Sequence, residues 1–140
     1  MQHMNPLVLI VENHQMMMTM IQEILRAEDI PFISAFKLND AEVLFKSNAK
    51  HISFVAMTGD LERISTTGDD DPDVAHLARV IHANHDFTGR VFAMSDWPNH
   101  NAIIRHLVGE KCEVVVEGLS HIIKLETVKE IIARVKKIRS

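Results

Sequence analysis

Leu7-Val8-Leu9-Ile10-Val11 runs directly into Glu12-Asn13-His14. An unbroken apolar run with no polar alternation describes a strand buried on both faces, as in a parallel sheet covered by helices on each side. The abrupt polar stop puts chemistry-bearing side chains at the carboxyl end of that strand. Further strands are predicted at Ile30–Phe36, with Pro31 at its start where a missing N–H is tolerated, and at Ile52–Met57, Arg90–Ser95 and Glu113–Glu117. The intervening spacing predicts helices. Gln15–Ala27 carries Met16, Met20, Ile24 and Leu25 on its core face, with Met17 and Ile21 beside them. Asn39 caps a second helix holding Ala41, Val43, Leu44 and Phe45. Asp73–Asn84 presents Val74, Leu77, Val80 and Ile81. A fourth helix opens at Pro98 or Asn99, contains Ile103, Ile104, Leu107 and Val108, and ends at Gly109. The last, Ser120–Ile138, buries Ile123, Val128, Ile131, Ile132, Val135 and Ile138.

Five strands alternating with five helices over short connections make an α/β chain, a doubly wound five-stranded parallel sheet. In such sheets function sits at the carboxyl ends of the strands, near the point where strand order reverses. The residues there are Glu12, Asn13, Thr58, Ser95 and Glu117. The 140 residues suit one domain, 6–138, and residues 1–5 read as a tail in which His3-Met4 resembles a cloning scar. Fifteen Lys and Arg against nineteen Asp and Glu leave a net charge of −4, which argues against nucleic-acid binding. There is no apolar run of the ~18 residues a membrane span needs, and no signal-peptide pattern. The single cysteine, Cys112, fits a reducing compartment, so a cytoplasmic location is expected.

This order of elements resembles the receiver domain of bacterial response regulators, the flavodoxin-like fold of the chemotaxis regulator, from about Pro6 to Ile138. The resemblance implies strand order 2-1-3-4-5 and a role in two-component signalling. It also implies a phosphorylation site at five positions. An acidic pair follows the family's first strand, where this chain has Glu12-Asn13. The phosphoacceptor aspartate ends the third strand, where Thr58 stands. A hydroxyl residue ends the fourth, and Ser95 fits. A lysine ends the fifth, where Glu117 stands, and an aromatic switch residue lies within that strand, near Val114 here. Phosphoryl transfer from a phosphohistidine needs a carboxylate nucleophile, a divalent cation and a lysine for the phosphoryl oxygens. Thr58 is a neutral hydroxyl with no evident base, Asn13 removes a carboxylate that attracts magnesium, and Glu117 is negative where phosphate needs a cation. Aspartyl phosphorylation is therefore not expected. No cofactor is expected either, and magnesium is not expected to bind tightly.

The expected role is that of an atypical receiver, a pseudo-receiver, which has no enzyme activity and works through a protein partner, an output domain or a homodimer. The family's fourth-helix, fifth-strand, fifth-helix face corresponds to Asn101, Arg105, Lys111 and Lys124. Two alternatives remain open: a cleft that binds a small ligand or cation, and phosphorylation at the displaced acid Asp60. His14, Asp60, Asp96 and Trp97 form the expected rim, with the Trp97 indole either covering the cleft or packed on the surface. Without the family lysine, Glu12 and Glu117 are expected to repel each other. His82 and His85 have a zinc-compatible spacing but no completing ligands, so no metal site is assigned. Asp69–Asp73 lacks the glycine and distal glutamate of a calcium loop and reads as a solvated loop with Asp73 as a cap.

Overall fold

The computed structural model describes residues 6–58, 73–116 and 121–140. Five parallel strands form one sheet in the order β2-β1-β3-β4-β5: β1 Leu7–Val11, β2 Phe32–Ala35, β3 Ile52–Met57, β4 Arg90–Ala93 and β5 Cys112–Glu113. The helices are α1 Gln15–Ala27, α2 Leu38–Asn48, α3 Asp73–Ala83, α4 Pro98–Val108 and α5 His121–Arg139, with one 3-10 turn at Gly109–Lys111. This is the doubly wound sheet that the apolar runs predict.

Both faces of the sheet are covered, which is why its strands lack polar alternation. Leu9 and Val11 point into a core with Phe45 of α2, Leu77 and Ile81 of α3 and Ile104 of α4. Val8 and Ile10 point the other way, against Met18, Ile21 and Leu25 of α1 and Val128, Ile131 and Val135 of α5. Phe45 and Phe87 meet edge to face, with ring centroids 5.3 Å apart. Before β4, a Cβ on Gly89 would lie 2.3 Å from the Ser53 carbonyl oxygen, so only glycine allows that approach.

Several local expectations shift. Met16 is 70% exposed and Met20 is exposed as well, while Met17 and Met18 are buried. The buried stripe of α1 is therefore Met17, Met18, Ile21 and Leu25. Asn39 lies inside α2, whose N-cap is Lys37 with no side-chain cap bond, and Val43 faces solvent. Ile138 is 49% exposed rather than buried. β2 starts at Phe32, β4 ends at Ala93 and β5 has only two residues. Gly109 closes α4 with φ +86°, where an L side chain would be strained. At the far end of α1, Arg139 donates from Nη1 and Nη2 to the carbonyls of Glu28 (3.2 Å) and Asp29 (2.6 Å), tying the end of α5 to the α1–β2 turn.

Candidate functional site

The strand order reverses between β1 and β3, and their carboxyl ends carry Glu12 and Thr58. The ladder continues past the strand ends and holds both in place. The Glu12 N–H donates to Ala35 O (3.1 Å), Thr58 N–H to Val11 O (3.0 Å) and Met94 N–H to Met57 O (2.9 Å). Glu12, Thr58 and Ser95, three of the positions implied by the family resemblance, are all buried at or just past the carboxyl ends of β1, β3 and β4. Asn13 is half-buried beside them. Glu117 and Asp60 lie outside the described residues, as does the segment 69–72.

The unexpected member of the site is Lys124, in the first turn of α5. Its side chain is 8% exposed and its Nζ lies 2.8 Å from Oε1 of Glu12, whose side chain is fully buried. The approach is an ion pair that falls outside hydrogen-bond geometry. Glu12 Oε2 accepts the His14 N–H at 2.9 Å, so the carboxylate also steadies the entry to α1. His14 itself is the exposed N-cap of α1, with Nδ1 accepting from the Met17 N–H at 3.5 Å. Asp96, on the rim, places Oδ2 3.9 Å from the Lys124 ammonium. The cleft thus has a cation after all, delivered by a helix rather than by the end of the fifth strand.

Lys124 and Asn101 are therefore not parts of an exposed face. Asn101 is buried and clamps the β4–α4 loop from both sides: its Oδ1 accepts the Ser95 N–H (2.8 Å) and its Nδ2 donates to Ser95 O (3.0 Å). The Ser95 hydroxyl oxygen accepts the Trp97 N–H at 3.1 Å, so Ser95 is a turn-forming residue here. Trp97 is the N-cap residue of α4 and leaves its indole 62% exposed, as in the surface reading. Arg105 is exposed, and Lys111 donates from Nζ to Phe87 O (2.6 Å).

Both reassigned residues carry a sequence signal. Lys124 precedes Val128, Ile131 and Val135 by four, seven and eleven residues, so it stands on the apolar stripe of α5. Asn101 stands three and seven residues before Ile104 and Val108 on the stripe of α4. A polar residue on a buried stripe has to find a polar partner inside.

The donor set among the described residues does not fit the divalent cation of the receiver family. Among the described residues no group of three His, Cys, Asp or Glu side chains converges, His82 and His85 included. The buried carboxylate of Glu12 already faces an ammonium. His82 instead directs Nδ1 to Val108 O at 3.3 Å.

Comparison with solved structures places the fold. The chain is similar to the signal receiver domain of an HD domain-containing protein from Pseudomonas fluorescens Pf-5, with TM-score 0.66 and 12% identity over 95% of this chain and 98% of that one. It is similar to HP1043, an orphan response regulator of H. pylori, with TM-score 0.63 and 14% identity over 99% and 100%. It is also similar to the CheX–CheY–BeF3–Mg complex from Borrelia burgdorferi, with TM-score 0.60 and 16% identity over 90% and 88%. No protein-family profile and no curated protein matches the chain. The chain has the receiver-domain fold of two-component response regulators.

Proposed function

We propose that this chain is a pseudo-receiver: a regulatory module that signals through protein contacts and does not accept a phosphoryl group on an aspartate. The observation that carries the reading is the Lys124–Glu12 ion pair in the floor of the cleft. Receiver chemistry needs its acidic residues open to a cation that neutralises the incoming phosphoryl group. Here the carboxylate is already neutralised from within, and the acceptor position holds the buried hydroxyl of Thr58. The partner is another protein or an output domain, and the module is a binding device rather than an enzyme. The solved CheX–CheY complex supports a protein partner for this fold. Exposed Arg105 and the outward surface of α5 are the surfaces available to it. Among the described residues no helix is long and apolar enough to cross a membrane.

Incubation with acetyl phosphate and magnesium tests this reading. The intact mass is expected to stay unchanged, and beryllofluoride is expected to leave Trp97 fluorescence unchanged at micromolar concentration. A stoichiometric, base-labile adduct would overturn the proposal, and its loss in Asp60→Asn would identify the acid.

A further inference from the structure

Towards the amino ends of β3 and β4 lies a cavity of about 570 Å³, lined by Phe54, Arg90, Glu130, Arg134, Lys137 and Ile138 together with Ala133. Phe54 is the third residue of β3 and pairs with Arg90 at the start of β4. Thr58 follows Phe54 by four residues, so the cavity sits about 13 Å from the cleft floor along the strand. Nothing in the receiver chemistry of the cleft involves it. Its volume lies in the range of small-molecule sites, and its composition has the usual form of an apolar floor with a few convergent polar groups.

The charges around it are unequal in how they are committed. Arg134 is saturated: Nη1 and Nη2 grip Glu113 at 2.5 and 2.6 Å, Nε reaches Glu130 at 2.9 Å, and the guanidinium stacks 4.9 Å over Phe92. Arg90 bonds, among the described residues, through Nε alone, at 2.9 Å from Glu113, which leaves its two terminal nitrogens for another acceptor. Among the described residues the Lys137 ammonium has no ion-pair partner. Three cations against the two carboxylates of Glu113 and Glu130 leave one positive charge over. Ile138 is 49% exposed at this place, so apolar surface is offered next to that surplus charge.

We infer that this cavity binds a small amphipathic monocarboxylate, its apolar body on Phe54, Ala133 and Ile138 and its carboxylate between Lys137 and the terminal nitrogens of Arg90. One surplus charge matches one carboxylate, and the floor requires an apolar body that inorganic anions lack. A bound acid would bridge the end of α5 to the β3–β4 edge.

Calorimetric titration with 4-phenylbutyrate at low salt tests the inference, with 4-phenylbutan-1-ol and inorganic phosphate as controls. Saturable binding with Kd of about 1 mM is expected, weakening as salt is raised. Both controls are expected to bind at least about tenfold more weakly. Lys137→Gln, whose melting temperature should match the wild type, is expected to weaken the acid about fivefold and the alcohol not at all. Amide shifts in NMR spectra should cluster on the carboxyl-terminal half of α5 and the starts of β3 and β4. Absence of saturable binding, equal binding of the alcohol or of phosphate, or an affinity unchanged in Lys137→Gln would each overturn the proposal. None of these outcomes depends on whether the cleft accepts phosphate.

Discussion

Lys124 and Glu12 are two charges taken out of water, and each desolvation costs several kcal/mol unless the partner compensates. The 2.8 Å approach supplies that compensation, and the neighbouring His14 N–H occupies the second carboxylate oxygen. Removing one partner strands the other charge in the core. Lys124→Met is therefore expected to lower the unfolding free energy by about 3–5 kcal/mol at pH 7, measured by urea titration. Adding Glu12→Gln to the same variant should recover part of the loss, because the stranded carboxylate is gone. A loss below about 1 kcal/mol in the single variant would mean that the pair is solvated and the cleft accessible to cations. The repulsion expected between Glu12 and Glu117 involves a residue outside the described ones; on the Glu12 side the neighbouring charge is this ammonium.

At the level of elements, β5 has only two residues, paired with β4. Glu113 adds ion pairs to that ladder, with Arg90 at the start of β4 and with Arg134 on α5. Its hydrogen bonds to Arg134 lead the causes that hold the Glu113 carboxyl well below the usual range, at about 2, with Arg90 adding to them and partial burial opposing. A pKa depressed in the folded state means that the unfolded chain takes up protons first. The stabilisation is complete above the ordinary value of 4.5 and is lost as pH falls from there towards 2. Glu113→Gln is expected to cost about 1–2 kcal/mol at neutral pH, discounted for partial exposure. Thermal melts of the two proteins should converge as pH falls towards 2. A constant difference across that range would show that the ion pairs contribute nothing and that the loss is one of packing.

On the scale of the whole molecule, the sheet buries both faces, and its one cysteine reports how cooperatively it opens. Burial pushes the Cys112 thiol up to about 11, so little thiolate exists at neutral pH and the sulfur is shielded by the core around β4 and β5. A disulfide reagent at pH 8 is expected to modify Cys112 only at the rate of global unfolding, with the same dependence on urea. Modification much faster than unfolding would instead reveal independent opening of the β5 edge.

Alternating blocks of apolar strand and amphipathic helix are local patterns, and local patterns suffice for the α/β class, the strand sequence and the placing of Glu12, Thr58 and Ser95 at one end of the sheet. The departures at Asn13 and Thr58 are what the resemblance to receiver domains implies at those positions. Element ends were less legible: Met16 and Met20 keep helical spacing with Ile24, yet the sheet selects the stripe one step round the helix, through Met17, Met18, Ile21 and Leu25. Partner choice was not legible at all. Lys124 and Asn101 stand on buried stripes, which demands an internal partner but does not name it. Only the packing of α5 across the end of β1 brings Lys124 to Glu12, 112 positions away in the chain, and only the turn at the end of β4 brings Asn101 onto Ser95. A pairing over that separation is decided by where helices settle on the sheet, which no local periodicity encodes.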